Sequence, residues 1–328
     1  MNRFAKRNSP PDRERRRCFK HQYASKTGAE KADSDARRHF PGAFDNDAAV
    51  SDRIIMHSGN FPCIGRFMTE SESTVHFGRE LAQLPPGIAA LIGGGGKTSL
   101  LFALGRYLAS ENFGTLCTTT TRLAQPAADQ TPPFAFHADP ETIHVAKGET
   151  LLAVRPALAE DDPGKVRGYT GAEIDALFKR RAADWILVEA DGSAGRPLKA
   201  PARHEPVLPL LAHCVVAVVG LGCLGKPFSP DTVFRTELAS AITRLQPCDA
   251  ITPHAAASIV THPRGLFHNT PEKTPRILFC NQTDLPDATE GGRELIRRVA
   301  AERPGFLHAA YIGSIAKDGL SCLRLPAS

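Results

Sequence analysis

Four glycines followed by lysine and threonine form the segment of this sequence best suited to chemistry, Gly93-Gly94-Gly95-Gly96-Lys97-Thr98. Without a Cβ, glycine lets backbone N–H groups converge on a phosphate, and a helix that follows adds partial positive charge at its start. In such a loop the lysine reaches the β- and γ-phosphates and the threonine hydroxyl ligates Mg²⁺. We therefore expect nucleotide binding by Gly93, Gly94, Gly95, Gly96, Lys97, Thr98 and Ser99.

The loop is a shortened form of the phosphate-binding motif, because Leu91 stands where the full motif has its first glycine. The alternative interpretation is a flexible glycine-rich turn before a helix. An apolar stretch precedes the glycines and an amphipathic stretch follows them, and this order favours the phosphate loop.

Two carboxylates follow a later apolar run, residues 185–188. Glu189 and Asp191 are two positions apart, so they face the same side of a regular strand. A carboxylate beside a phosphate loop holds Mg²⁺, directly or through water, and another can orient the attacking group. We expect Glu189, Asp191 and Lys97 to be catalytic, and Thr98, Asp191 and Glu189 to be on the metal side. The sequence leaves open which carboxylate touches the metal.

Weaker candidates are scattered around these two motifs. Thr119 and Thr120 end a predicted strand, where their hydroxyls would face the phosphates, or they are simply β-branched strand residues. Lys199 and Arg235 are candidate contacts to phosphate or substrate, and the alternative for each is a solvent-exposed charge. Cys223 is the thiol best placed for reaction, but no base is evident beside it, so we expect it to be inert.

The segment Asn281-Gln282-Thr283-Asp284 follows another apolar run and is similar to the guanine-binding Asn-Lys-x-Asp sequence of GTPases, with Gln in place of Lys. A carboxylate at the last position accepts hydrogen bonds from the guanine edge. Ser314-Ile315-Ala316-Lys317 weakly resembles the Ser-Ala-Lys that accompanies it. Asn281 and Asp284 therefore favour GTP, and ATP stays open as the alternative.

The chain has 328 residues and a formal net charge of +5. Residues 1–40 hold 12 basic and 5 acidic side chains, so the positive excess lies in this tail and the remainder is close to neutral. A hydrophobic fraction of 42 % excludes a wholly disordered, collagen-like or coiled-coil chain. The near-neutral body and the single Trp give no reason to expect a nucleic-acid partner.

Residues 1–67 are predicted to be a disordered basic extension, or an upstream segment that translation from Met56 or Met68 omits. Residues 80–328 are predicted to be the folded domain. The eight cysteines include no CxxC pair, which argues against a zinc framework or a disulfide scaffold. No apolar run approaches the ~20 residues of a membrane span, and the N-terminal residues lack the apolar region that a signal peptide would have. We therefore expect a cytoplasmic protein with no membrane partner.

Short apolar runs alternate with amphipathic segments from about residue 87 onward. Strands are predicted at 87–92, 114–121, 185–190, 215–219, 276–280 and 308–312, and helices at 98–110, 172–181, 237–245, 255–260 and 290–301. Residues 125–140 are predicted to be loop. This alternation predicts an α/β fold like that of P-loop NTPases, with a mainly parallel sheet and helices on both faces.

Taken together, these segments resemble one family. GGGGKTSLL, TTTTRLAQP, ILVEADGSAGRPLKAPARHEPVLP, VVGLGCLGKP, PHAAASIVTHPRGLF and FCNQTD are similar to the selenium-dependent hydroxylase accessory proteins, also called selenium cofactor biosynthesis proteins of the YqeC type. The resemblance covers about residues 80–315. Its most specific part is the run EADG-x-x-x-x-PLKAP, and the tail lies outside it.

The resemblance implies an NTP-binding accessory protein in the maturation of molybdenum hydroxylases that carry selenium. It implies partners such as selenophosphate synthetase and a molybdenum hydroxylase, Mg²⁺ with GTP or ATP, and Lys199 as a substrate contact. NTP would be hydrolysed or used to activate a cofactor precursor. Two alternatives remain: a nucleotide-dependent switch or chaperone that delivers cofactor to an apo-hydroxylase, and a small-molecule kinase or nucleotidyltransferase.

Overall fold

Consecutive apolar residues build the central strands, because a strand with both faces covered needs no polar alternation. In the computed structural model, which describes residues 72–125, 132–156 and 164–326, strand β2 (Ile88–Gly93) is buried along its whole length. So are β3 (Thr115–Thr119) and β8 (Trp185–Glu189). These three strands are neighbours in one sheet, in the order β2-β8-β3.

The remaining elements alternate along the chain in the way that the apolar runs predict. The other strands are β1 (Ser73–His76), β4 (Arg122–Ala124), β5 (Phe134–Phe136), β6 (Thr150–Val154), β7 (Lys165–Arg167), β9 (Leu198–Lys199), β10 (Ala212–Gly220), β11 (Val233–Phe234), β12 (Arg276–Asn281), β13 (Ala309–Gly313) and β14 (Ser321–Leu325). The helices are α1 (Phe77–Ala82), α2 (Lys97–Ser110), α3 (Gly171–Lys179), α4 (Thr236–Thr243), α5 (Pro253–Thr261), α6 (Ala288–Glu302) and α7 (Ile315–Asp318).

Ten strands form the main sheet, in the order β1-β14-β13-β12-β10-β2-β8-β3-β6-β5. All pairings from β13 to β5 are parallel, and β14 alone in this sheet runs in the opposite direction, so that it pairs antiparallel with both β13 and β1 at one edge. Two small two-stranded sheets, β4 with β7 and β9 with β11, accompany it. The carboxyl ends of the parallel strands therefore meet at one edge of the sheet, where ligands bind in open α/β folds.

Apolar side chains cover both faces of this sheet. Along β2, Ala90 and Ile92 pack in the cluster that holds helices α5 and α6, whereas Ala89 and Leu91 pack in the cluster that holds α1 and α2. This alternation follows from the two-residue period of a strand. The predicted α/β class, with a mainly parallel sheet and helices on both faces, is confirmed.

The structure differs from the sequence-based prediction at short elements. The predicted loop 125–140 contains β5, and β6, β7, β9, β11 and β14 were not predicted. These strands have two to five residues, and a strand of that length is too short for its hydrophobic pattern to be recognised. The sheet also takes in β1, seven residues before the predicted start of the folded domain. The predicted extension 1–67 lies outside the described residues.

None of the helices in the described ranges is both long enough and apolar enough to cross a membrane.

Strand β1 and helix α1 give a testable boundary for the folded domain. Phe77 and Leu81 of α1 are each 1 % exposed, and burying side chains of this size contributes about 1.5–3 kcal/mol each. A chain that starts at Leu84 loses both, together with the β1–β14 pairing. We expect its melting temperature to fall by about 10 °C or more.

The matched chain starts at Met68 and keeps β1 and α1. We expect it to melt within a few degrees of the full chain in differential scanning fluorimetry, because the composition of residues 1–67 predicts little buried apolar surface. A large loss in the Met68 chain, or none in the Leu84 chain, would contradict this boundary.

Candidate functional site

The glycine-rich loop joins the buried strand β2 to helix α2. Gly93, Gly95 and Gly96 have φ of +95°, +78° and +124°, which L side chains rarely adopt. A Cβ at Gly93 would lie 2.2 Å from the Val218 carbonyl oxygen, and one at Gly96 would lie 2.3 Å from Asn281 Nδ2. Glycine is therefore required here by both conformation and space.

The first half of the loop is fastened to the protein by its own N–H groups. Gly94 N donates to the Val218 carbonyl at 2.9 Å, and Gly95 N donates to the Arg196 carbonyl at 3.0 Å. Gly93 N donates to the carboxylate of Asp191 at 3.1 Å. The expectation that all these N–H groups face a phosphate is therefore wrong for Gly93, Gly94 and Gly95, because they hold a shortened loop against neighbouring strands.

The second half of the loop opens into a cavity of about 1200 Å³. Gly95, Gly96, Lys97, Thr98 and Ser99 line it, whereas Gly93 and Gly94 do not. The first N–H groups of an α-helix have no partner within the helix, so residues 97–99 present donors at the positive end of α2. The N–H donors that face the cavity therefore lie at the start of the helix.

Lys97 is 3 % exposed and lies among oxygen atoms at the floor of the cavity. Its Nζ donates to the Gly93 carbonyl at 2.7 Å and to Ser193 Oγ at 3.3 Å. The ammonium lies 3.5 Å from Glu189 Oε1 and 3.4 Å from Asp191 Oδ1. Two buried carboxylates thus balance a buried cation that reaches the cavity wall.

The two carboxylates after β8 have different surroundings. Glu189 lines the cavity, and its Oε2 accepts a hydrogen bond from Thr98 Oγ1 at 2.7 Å. Burial raises the pKa of Glu189, and nearby Asp191 raises it further, whereas Lys97 and the Thr98 hydroxyl act in the opposite direction. Glu189 and Thr98 therefore form a hydrogen-bonded pair on the cavity side.

Asp191 is fully buried and is not part of the cavity wall. Besides accepting the Gly93 N–H, it lies 3.0 Å from the ammonium of Lys199. Asp191 therefore holds the loop from within the protein, and of the two carboxylates only Glu189 lines the cavity.

Lys199 and Arg235 belong to the same buried network, although each was expected to contact substrate. Lys199 is 0 % exposed, and its Nζ donates to the Gly192 carbonyl at 2.7 Å and to Glu205 Oε2 at 2.8 Å. Together with Asp191, these acceptors use all three of its protons. Lys199 is therefore enclosed by protein, and a direct substrate contact by Lys199 is wrong.

Arg235 lines the cavity and binds Glu205 through both terminal nitrogens. Desolvation raises the pKa of Glu205, but hydrogen bonds from Arg235 and Lys199 outweigh it and lower that pKa to about 2. Glu205 carried no signal in the sequence, because its importance depends on cations six and thirty positions away.

The threonine hydroxyls at the end of β3 bind protein carbonyls. Thr119 Oγ1 donates to the Glu189 carbonyl at 2.7 Å, and Thr120 Oγ1 donates to the Val207 carbonyl at 2.8 Å. Thr119 is fully buried, whereas Thr120 lines the cavity. These bonds hold the end of β3 beside Glu189, so the structure favours a structural role for Thr119.

The Asn281 segment lies two strands from β2 on the other side of β10, outside the cavity wall. Asn281 Nδ2 donates to the Gly95 carbonyl at 2.8 Å, and its Oδ1 accepts from the N–H of Ile315 at 3.0 Å. Asp284 is exposed and accepts a hydrogen bond from Ser314 Oγ at 2.5 Å. This segment is thereby tied both to the phosphate loop and to the end of β13.

The structure also places Gln282 and Asp284 of this segment. Gln282 does not face solvent: its Oε1 accepts the Gly222 N–H at 3.1 Å and its backbone has φ of +79°. Asp284 does not cap the following helix, because α6 begins at Ala288 with Asp287 in the N-cap position.

The far side of the cavity is lined by basic residues that the sequence analysis did not identify as candidates. Arg122, Arg155, Lys165 and Arg167 are part of its wall. Only Arg122 belongs to a segment that the sequence analysis identified, since it directly follows the threonine run. Lys165 and Arg167 lie on the short strand β7 and Arg155 directly follows β6, and none of these three belongs to a motif. By contrast, the thiol of Cys223 lies in the apolar core, where burial raises its pKa to about 12, in line with the expected lack of reactivity.

Comparison with known proteins agrees with the resemblance seen in the sequence. The model of the family described as "YqeC protein" matches residues 89–237, which include the loop, Glu189 and Arg235. The "Uncharacterized protein YqeC" of Escherichia coli (strain K12) is 38 % identical over 201 residues, which cover 61 % of this chain and 78 % of that protein. The chain belongs to the YqeC family.

The buried network can be tested by replacing Lys199 with Met. This variant leaves Asp191 and Glu205 buried with one cation fewer, and removing one partner of a buried ion pair costs about 3–5 kcal/mol. The matched control is Arg298→Met, which breaks an exposed pair with Glu294 and should cost far less. Unfolding free energies from urea denaturation at neutral pH compare the two, and equal small losses would show that the network contributes nothing to stability.

Proposed function

From the membership of the YqeC family and the geometry of the cavity, we propose that this protein binds a nucleoside triphosphate together with Mg²⁺ and uses it in phosphoryl or nucleotidyl chemistry. The fold is then that of a P-loop NTPase with a shortened loop. The observation that carries the proposal is the contact of 2.7 Å between Thr98 Oγ1 and Glu189 Oε2 beside the ammonium of Lys97.

These three side chains meet the needs of a polyphosphate. Lys97 is a buried cation at the cavity floor, and charge-assisted contacts to phosphate are about twice as strong as neutral hydrogen bonds. The N–H groups of residues 97–99 add donors at the positive end of α2. A triphosphate therefore finds charge and directed donors in the same place, which a simple glycine-rich turn does not provide.

Mg²⁺ fits the residues at this point. Thr98 and Glu189 offer hard oxygen atoms on the cavity side, and Mg²⁺ is commonly bound by one or two such protein ligands together with substrate phosphates. In this arrangement Thr98 and Glu189 would hold the ion, which supplies neutralisation of phosphate charge when bound. Because burial raises the pKa of Glu189, we infer that metal binding weakens as the pH falls toward that raised pKa.

The biosynthetic role that we propose rests on the family resemblance. We infer that the protein serves the maturation of selenium-dependent molybdenum hydroxylases, beside selenophosphate synthetase and the hydroxylase itself. Hydrolysis, transfer to a cofactor precursor, and a switch that delivers cofactor remain separate mechanisms for this role. Turnover that depends on a small-molecule acceptor supports transfer, whereas slow turnover that an apo-hydroxylase accelerates supports the switch.

Replacing Lys97 with Ala tests the phosphate site. The change removes a charge-assisted contact to the β- and γ-phosphates, so the affinity for a non-hydrolysable triphosphate should fall about ten- to hundredfold. The affinity for the nucleoside should change little. Isothermal titration calorimetry measures both, and equal triphosphate affinities of wild type and variant would end the P-loop interpretation.

Two matched carboxylate variants test which carboxylate lies beside Mg²⁺. Glu189→Gln should raise the Mg²⁺ concentration needed for tight triphosphate binding, whereas Asp191→Asn should affect stability more than Mg²⁺ dependence. The opposite pattern would place the ion at Asp191.

We further propose that the Asn281 segment binds guanine, so that GTP is the nucleotide and ATP the alternative. The carboxylate of Asp284 can accept hydrogen bonds from N1–H and the exocyclic amine of guanine, and adenine lacks this pair of donors. One oxygen of that carboxylate accepts a hydrogen bond from the Ser314 hydroxyl, and the other is left for the base. A carboxylate left unpaired against the wrong base costs several kcal/mol, so such sites discriminate strongly.

Asp284→Asn should lower the affinity for GTP and raise it for XTP, whose 2-oxo group accepts a hydrogen bond from the new amide. Ser314→Ala is the control, because it keeps the carboxylate and should keep the base preference. Competition titrations with GTP, ATP and XTP measure the change. A wild type that prefers ATP, or an unchanged GTP-to-XTP ratio in Asp284→Asn, would contradict guanine binding and leave the phosphate site intact.

A further inference from the structure

We propose that the cavity holds a second, phosphorylated small-molecule substrate, bound on the side away from the Asn281 segment by a row of arginines. This row, here called the arginine ladder, consists of Arg155, Arg167 and Arg122 on three adjacent backbone segments. The proposal depends on the function proposed above in that the first ligand is a nucleotide whose base lies toward the Asn281 segment.

Backbone pairing sets the three arginines side by side. Arg122 of β4 is the register partner of Arg167 of β7. On its other side, Arg167 exchanges two backbone hydrogen bonds with Arg155, at 2.7 and 3.0 Å. Side chains directly opposite each other in antiparallel pairs have Cβ atoms about 4.5–5.5 Å apart. Arg167 thus lies between two like charges.

The pleat of the small β4–β7 sheet turns these side chains to the cavity. Leu123 and Val166, the intervening register pair, are 5 % and 1 % exposed and pack in the core. Their neighbours in the strands must point the other way, and Arg122, Lys165 and Arg167 all line the cavity. The ladder and Lys165 therefore present positive charge to one shared space.

Within the described residues, Arg155 has an acidic partner and Arg167 has none. The Arg155 guanidinium binds Glu173 through two nitrogens, at 2.6 and 3.2 Å. Among the residues that the structure describes, Arg167 has no ion pair or side-chain hydrogen bond. Like charges placed directly opposite in a sheet are destabilising. An anion between the arginines would relieve this repulsion.

The charged side chains of the cavity wall also favour an anionic ligand. Within the described ranges, six cationic side chains line the cavity: Lys97, Arg122, Arg155, Lys165, Arg167 and Arg235. Carboxylates pair with Lys97, Arg155 and Arg235. The cavity wall is therefore rich in cationic groups, which suits the binding of polyanions.

The order of the strands separates the ladder from the nucleotide. The sheet runs β12-β10-β2-β8-β3, and the ladder begins at Arg122, just after β3. Strands are spaced about 4.8 Å apart, so the Asn281 segment and the ladder lie on opposite sides of the phosphate loop, each about 10 Å away. A nucleotide with its base toward Asn281 would leave the ladder side of the cavity vacant.

The space and the chemistry both suit a phosphorylated small molecule. A cavity of about 1200 Å³ is larger than the roughly 300–1,000 Å³ typical of a site for one small ligand. Guanidinium groups bind phosphate through paired N–H donors, and three in a row match the several oxygens of a phosphate better than those of one carboxylate.

Titration with inorganic pyrophosphate tests the ladder in two backgrounds. The first is the full chain saturated with Mg²⁺ and a non-hydrolysable triphosphate, where we expect one further pyrophosphate per chain. The second is the nucleotide-free Lys97→Ala chain, which removes the phosphate-loop contact. In both, Arg167→Gln should weaken pyrophosphate binding about tenfold or more, and succinate should bind far more weakly than pyrophosphate.

The control is Arg298→Gln, which removes one positive charge from the exposed face of α6 and should leave pyrophosphate binding unchanged. Arg167→Gln should keep triphosphate affinity within about twofold. Failure of the chain to bind nucleotide would overturn the proposed function alone, since the Lys97→Ala arm still reports on the ladder. Pyrophosphate binding that Arg167→Gln leaves unchanged, or that Lys97→Ala abolishes, would overturn the ladder proposal, as would equal binding of succinate.

Discussion

The carboxylate of Asp191 accepts the N–H of Gly93 and lies between the ammonium groups of Lys97 and Lys199. It is fully buried, so the charge that it carries must be balanced within the protein. Because one acceptor serves both the loop and the lysine that follows it, Asp191 determines where the loop leaves β2. The start of α2, and with it the cavity floor, depends on this contact.

A continuous chain of ion pairs extends from Asp191 to the cavity wall. Lys199 connects it to Glu205, and Glu205 connects to Arg235 at the surface of the cavity. With Lys97 and Glu189, the set contains three cations and three carboxylates. A buried network of this kind is tolerable when every charge has a partner. It also makes the site rigid, since moving one member exposes the charge of the next.

The strand order divides the carboxyl edge of the sheet into zones. The glycine-rich loop follows β2 at the centre, the Asn281 segment follows β12 on one side, and the arginine ladder follows β3 on the other. A parallel sheet makes this possible because all its carboxyl ends lie at one edge. Three chemically different groups that are distant in sequence are thereby arranged in one row.

The sequence by itself determined the α/β class, the position of the glycine-rich loop between a strand and a helix, the carboxylate pair and the resemblance to the YqeC family. These features are local, since glycines, a Lys-Thr pair and apolar runs can be recognised without knowing what they contact. Only the tertiary structure decided that Glu189 faces the cavity while Asp191 supports the loop, because both lie on the same predicted side of one strand. The tertiary structure also buries Lys199 and places Glu205 and the arginine ladder at the site. Burial and pairing depend on residues that are far apart in the chain, and sequence periodicity does not report such contacts.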